Sequence, residues 1–238
     1  MTDNRIDKIK DCLSEVTEIS DEKANKFLTF FERMVETNEV MNLTAITEFD
    51  EVLVKHFLDS VYLLKNTGIS SKKILDLGTG AGFPGVPLKI VDETINITYL
   101  DSLQKRMNYL ERVCSEINLS GCEFVHGRAE DFGKNIEYRE KYDFVVSRAV
   151  ANLSTLSEYA LPFVKVGGYF VSYKSEKTEE EISEAKKAID ILGGKVEKVE
   201  TFNLGEAGVR SLVFIKKIKN TPKKYPRKPG TAKKEPIV

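Results

Sequence analysis

Apolar residues recur every three or four positions at the start of the chain. Ile6, Ile9, Leu13 and Val16 share one helical face, and Phe27, Phe30, Phe31, Met34 and Val35 share a face of a second helix, with Asp21 as its candidate cap. Val52, Phe57, Val61 and Leu64 predict a third helix over residues 48–65, which "GISS" then breaks. From Lys73 the period changes. Short β-rich runs, "KILDL", "NITYLD", "CEFVHG", "YDFVVSRA" and "GGYFVSYK", alternate with helical stretches near residues 103–118, 155–164 and 178–192. Alternation of this kind predicts a parallel, doubly wound sheet with ligands at the carboxyl ends of its strands. Two final runs, "KVEKVETFNL" and "RSLVFIKKI", have only "GEAG" nearby and no helix between them, so they predict an antiparallel hairpin at one edge. The organisation expected is a helical region over 1–70, an α/β domain over 71–218 and a remainder of different character.

That remainder stands out by charge. Residues 216–238 hold nine Lys or Arg and one acid, Glu235, while the rest of the chain holds 27 basic and 36 acidic residues. The overall net charge of −1 therefore conceals a strongly basic end, which also carries four of the seven prolines. A basic, proline-broken segment predicts a flexible tail over 219–238, serving either solubility or contact with phosphates. No apolar run approaches the roughly 20 residues that cross a bilayer, and no apolar block follows "MTDNRIDKIK" as in a signal peptide. Cys12, Cys114 and Cys122 form no C-x-x-C pair, so neither a disulfide framework nor a zinc site is indicated. The expectation is a reduced, cytoplasmic protein without a membrane segment or a metal.

The chemistry begins at "ILDLGTGAGFPG", where four glycines follow the first strand. A chain that turns sharply against a ligand needs positive φ and no Cβ in the way, which Gly78, Gly80 and Gly82 provide; Pro84 suits the first turn of the helix that follows. Asp101 ends the second strand, 23 residues after Gly78, where a carboxylate can accept from both ribose hydroxyls of an adenosine. Gly80, Gly82 and Gly85 also spell G-x-G-x-x-G. These residues point to an adenosine-type cofactor and fit NAD and S-adenosylmethionine equally. Context favours the methyl donor: a dehydrogenase needs a second domain for its substrate, and the roughly 150 residues after the loop are consumed in completing one sheet.

Several longer motifs, "MNLTAI", "VKHFLDS", "DLGTGAGFPGVPL", "LDSLQKR" and "VVSRAVANL", closely resemble the bacterial ribosomal RNA small subunit methyltransferase G family, also called glucose-inhibited division protein B. The resemblance runs over residues 42–216. One departure is visible, because "ETNEVMNLT" lacks the aromatic residue that the family often has ahead of this segment. The resemblance implies a class I S-adenosylmethionine-dependent methyltransferase (Rossmann-like) fold. It implies methyl transfer from S-adenosylmethionine to N7 of a guanine in 16S ribosomal RNA, and contact with that RNA and with small-subunit proteins. By the same resemblance Gly78, Gly80 and Phe83 carry over as loop contacts to the cofactor. Asp101, Ser102 and Leu103 carry over as the ribose-binding turn, Ala129 and Glu130 as the segment beside the adenine, and Arg148 as a cofactor-pocket arginine.

Guanine N7 has a free lone pair, so the reaction needs alignment at roughly 3–3.5 Å and no general base. No catalytic residue is therefore assigned. The methylated base gains positive charge, so cations belong on phosphates and not against the base. Arg148, Lys174 and Arg210, at the ends of the later strands, are RNA-side candidates. His56 is another, sharing a helix face with Asp59, although the two equally fit a packed joint between the helical region and the sheet. His126 reads as a hydrogen-bonded histidine. Two other functions remain open at this point: an NAD-linked oxidoreductase, and a non-catalytic RNA-binding or assembly factor on a methyltransferase fold.

Overall fold

The computed structural model describes residues 4–175 and 178–237. Strands β1 (Lys73–Leu77), β2 (Asn96–Asp101), β3 (Cys122–His126), β4 (Tyr142–Arg148), β5 (Val164–Lys174), β6 (Gly194–Asn203) and β7 (Val209–Lys217) form one sheet in the order β3-β2-β1-β4-β5-β7-β6. The first five strands are parallel, and β7 is inserted antiparallel between β5 and β6. The chain builds outward from β1 through β2 to β3, then crosses back to place β4 on the other side of β1. This topological switch opens a crevice at the carboxyl ends of the central strands.

Side chains alternate across the sheet. Ile74 and Val146 face one core cluster, while Leu75, Leu77 and Val145 face the other. The first cluster also takes Ile6, Ile9 and Leu13 of α1 (Asn4–Leu13) and the phenylalanines of α2 (Asp21–Met41), so the amino-terminal helices share a core with the sheet. Ser20 caps α2 by accepting from Lys23 N at 3.3 Å, and Asp21, expected as the cap, is the first helical residue. The second cluster lies beneath α8 (Leu153–Ala160) and α9 (Thr178–Leu192).

The third predicted helix is helical but not uniform. It runs as α3 (Phe49–Val52), a π-helical stretch over Leu53–Leu58, α4 (Asp59–Val61) and a 3₁₀ stretch over Tyr62–Asn66. The wider π turn still buries Val52, Phe57 and Val61 completely. The remaining helices are α5 (Gly85–Val91), α6 (Gln104–Glu116), α7 (Ala129–Phe132) and α10 (Thr231–Lys234).

The basic end, expected as a flexible tail, packs against the domain in this structure. Tyr225 and Ala232 are buried, and Arg227 Nη2 donates to Glu158 Oε2 at 2.6 Å against a carboxylate side chain only 1% exposed. Lys217 is wholly buried, donating to the carbonyls of Leu161 and Val164 and to Thr221 Oγ1, and burial pushes its pKa down to about 8. Bulk composition hid these anchors. A few apolar and arginine side chains find partners on the domain, while Lys219, Lys223, Lys224, Lys228 and Lys234 carry the charge on the surface. Among the described residues no helix is long and apolar enough to cross a membrane.

Candidate functional site

Where β1, β2, β3 and β4 end, their following loops enclose a cavity of about 620 Å³, within the roughly 300–1,000 Å³ of small-molecule sites. Its floor is the glycine loop. Gly78 and Gly80 adopt φ of 69° and 60°, conformations that L side chains avoid. Gly78 N and Thr79 N both donate to the Leu100 carbonyl, at 2.8 and 3.3 Å, which stitches the loop to β2. A Cβ on Gly78 would come within 2.6 Å of a Val150 methyl carbon. Under the loop, Asp76 is fully buried and accepts from Thr79 Oγ1 at 2.7 Å and Gly85 N at 2.9 Å. Its Oδ1 has no hydrogen-bond partner, and burial raises its pKa to about 7.

Asp101 organises the neighbouring wall. Its two carboxylate oxygens accept from Gly80 N and Leu103 N, each at 3.0 Å, and Arg106 Nη1 lies 3.1 Å away. Thus one carboxylate ties the glycine loop to the turn after β2. Ser102 lines the cavity, and its carbonyl accepts from His126 Nε2 at 3.1 Å. Leu103 does not line the cavity: its N–H serves Asp101 while its side chain is largely exposed. Ala129 and Glu130 border the opposite end beside Tyr159, and Glu130 is buried.

Phe83 is buried at the cavity edge, its ring centroid 4.5 Å from that of His56 and 4.9 Å from the Arg148 guanidinium carbon. Arg148 Nη1 donates to Asp59 Oδ2 at 2.7 Å and to the Lys55 carbonyl at 3.2 Å, with its side chain only 14% exposed. His56 Nε2 lies 2.9 Å from Thr44 Oγ1. Burial, reinforced by Arg148, lowers the His56 pKa to about 4, so the imidazole is neutral at pH 7. Asp59 shifts upward, because its burial outweighs the opposing pull of Arg148. His56 and Asp59 therefore do join the helical region to the sheet, and the third member of that joint is Arg148, on β4.

The same joint divides the cavity from a second hollow of about 430 Å³, with His56, Arg148 and Ala149 common to both. The second hollow also takes in Tyr173, Lys174, Glu181 and Arg210. Lys174 is not a free cation: its Nζ donates to Glu181 at 2.7 Å and to the Ala151 carbonyl at 3.1 Å. The structure thus brings Gly78, Gly80, Phe83, Asp101, Ser102, Ala129, Glu130, His56 and Arg148 around one cavity, and sets Lys174 and Arg210 in the adjoining one. Sequence reasoning missed Leu43, Thr44, Gly230 and Lys233 in the first lining. "MNLT" was a signal for the first pair. Nothing in the tail signalled the second.

The residues suit an adenosine-containing group by their own geometry: a side-chain-free floor, a carboxylate at the end of the second strand, and a buried aromatic, Phe83, at the edge. With the mostly parallel sheet and its antiparallel last hairpin, they define a class I methyltransferase. A family model described as rRNA small subunit methyltransferase G matches residues 23–212. The chain belongs to that family. A protein named ribosomal RNA small subunit methyltransferase G from Clostridium novyi is 51% identical over 223 residues, covering 93% of this chain and 92% of its own. The protein of the same name from Alkaliphilus oremlandii is 49% identical over 237 residues, covering 97% and 99%. Among solved structures, an Agrobacterium tumefaciens protein described as a predicted O-methyltransferase aligns with a TM-score of 0.52 at 19% identity, covering 67% of this chain and 78% of that one. A SAM-dependent methyltransferase from Aquifex aeolicus aligns with a TM-score of 0.50 at 21% identity, covering 69% and 92%. At such identities these structures speak for the fold.

Proposed function

We propose that this chain transfers a methyl group from S-adenosylmethionine to N7 of a guanine in 16S ribosomal RNA. The observation that carries the reading is the pair of adjoining cavities. One has the glycine floor and the Asp101 carboxylate; the other lies across the Phe83–His56–Arg148 joint, at the ends of β4 and β5. In this reading Gly78, Gly80, Phe83, Asp101, Ser102, Ala129 and Glu130 hold the cofactor, which supplies an electrophilic methyl on its sulfonium. Leu103 contributes through its N–H to Asp101. The second hollow receives the target base.

The electrostatics support this division. N7 attacks without losing a proton, so no residue has to act as a base, and the work of the protein is alignment. Positive charge develops on the base. The groups nearest the joint do not oppose it: the Arg148 charge is matched by Asp59 at 2.7 Å, and His56 is neutral. In this reading Arg210, which lines the second hollow, and the exposed tail lysines meet phosphates. Small-subunit proteins are further contacts under this proposal, and the cytoplasm is its setting.

The test is a tritiated-methyl transfer assay on small ribosomal subunits lacking the modification, with nucleoside analysis of the product. Label on guanine N7 supports the proposal, and label on another atom overturns the target. Tight RNA binding without transfer would favour the assembly-factor reading. Binding of NADH and not S-adenosylmethionine would favour the oxidoreductase.

A further inference from the structure

We propose that the carboxyl-terminal segment, residues 219–237, is a strap whose tip forms the adenine-side wall of the cofactor cavity, with Lys233 as a further cofactor-binding residue. The proposal rests on the reading of that cavity as the S-adenosylmethionine site. The segment lies beyond the residues that the family model matches, yet it returns along the domain to the carboxyl ends of the strands. Gly230 and Lys233 line the cavity together with Ala129, Glu130 and Tyr159.

Among its attachments to the domain, four lead toward the cavity. Tyr225 is buried in the core cluster under α8. Arg227 meets Glu158 of α8 through its backbone N–H at 2.7 Å, Nε at 3.0 Å and Nη2 at 2.6 Å. Thr155 Oγ1 donates to the Ala232 carbonyl at 3.1 Å. Gly230 N donates to Glu130 Oε1 at 2.9 Å. The last contact is the informative one. The carboxylate in the segment assigned to the adenine also holds the strap, so the position of one depends on the other. Between Gly230 and Lys233, φ of 83° at Gly230 turns the chain, and Ala232 is buried against the domain while Lys233 is exposed to the cavity side.

An ammonium is a donor with no acceptor. At this wall it suits the ring nitrogens of an adenine or a ribose oxygen, and it adds nothing to recognition of the methionine half. Because the strap and the cofactor share a wall, each stabilises the other by the same factor. Ligand should therefore hold the strap down, and strap contacts should tighten ligand.

Calorimetric titration of the full chain with S-adenosylhomocysteine and with adenosine tests this. Lys233→Ala, at an exposed side chain, is expected to weaken both ligands by the same factor, about 10-fold or more, as for loss of one charge-assisted hydrogen bond. Arg227→Ala should weaken both at least as much. In the reciprocal measurement, S-adenosylhomocysteine should slow tryptic cleavage at Lys233 and Lys234 of the unaltered chain several-fold. Unchanged affinities in both variants, or cleavage indifferent to ligand, would overturn the strap while leaving the cofactor reading intact. Failure of the unaltered chain to bind S-adenosylhomocysteine would overturn both.

Discussion

Replacing Arg148 with Met removes one charge from a buried pair and keeps an apolar side chain against Phe83. The partner left behind, Asp59, has a side chain only 5% exposed and loses its donor at 2.7 Å. Loss of one member of a buried pair costs about 3–5 kcal/mol. Here the larger part comes from the uncompensated carboxylate, so the loss has a pH signature. Burial already raises the Asp59 pKa, and Arg148 is the main influence opposing the rise. Without Arg148 the pKa rises further. A carboxyl with a folded pKa above its unfolded value binds its proton first in the folded state, and its stabilisation is lost as pH rises through the folded pKa. The deficit of Arg148→Met relative to the parent should therefore be larger at pH 8 than at pH 5. A double variant, Arg148→Met with Asp59→Leu, should recover much of the loss by removing the stranded charge. Urea unfolding followed by circular dichroism measures all of this, since the chain has no tryptophan. A deficit below about 1 kcal/mol, the range of exposed pairs, equal at both pH values, would refute the reasoning.

Gly85→Ala would place a Cβ 2.5 Å from Asp76 Oδ2 and 2.6 Å from Tyr99 Cε1, and thermal unfolding should register about 1–3 kcal/mol of overpacking. Asp101→Ala removes the acceptor shared by Gly80 N and Leu103 N; calorimetry should show S-adenosylhomocysteine binding weakened roughly tenfold or more, because two donors lose their partner. His56, with its pKa near 4, stays neutral when the fold is intact but protonates in the unfolded chain below its ordinary value of 6.5. Stability should therefore fall as pH drops from about 6.5 to 4, by up to about 3 kcal/mol, and His56→Gln should flatten that part of the stability–pH curve.

Much of the fold follows from local periodicity. The alternation in "KILDL" sends Ile74 and Leu75 to opposite core clusters, and spacing within α1 puts Ile6, Ile9 and Leu13 on one buried face. The glycine-rich turn was equally legible, since its glycines act through backbone conformation and Asp101 follows at the end of the next strand. The uneven third helix was not: its apolar spacing fits α-helix, whereas Leu53–Leu58 forms a π-helical stretch. The packing of the tail was not legible, because charge and proline describe its average, whereas its placement depends on Tyr225, Arg227 and Ala232.

By itself, then, the sequence determined the order of elements, the glycine-rich turn after β1 and the carboxylate at the end of β2. Each of these depends on residues close together in the chain, where covalent spacing sets geometry. Tertiary structure alone decided that Arg148 would be neutralised by Asp59, 89 residues away, and that Gly230 would meet Glu130, 100 residues away. A buried charge or backbone donor takes whichever partner the packing delivers, and no local pattern records that choice.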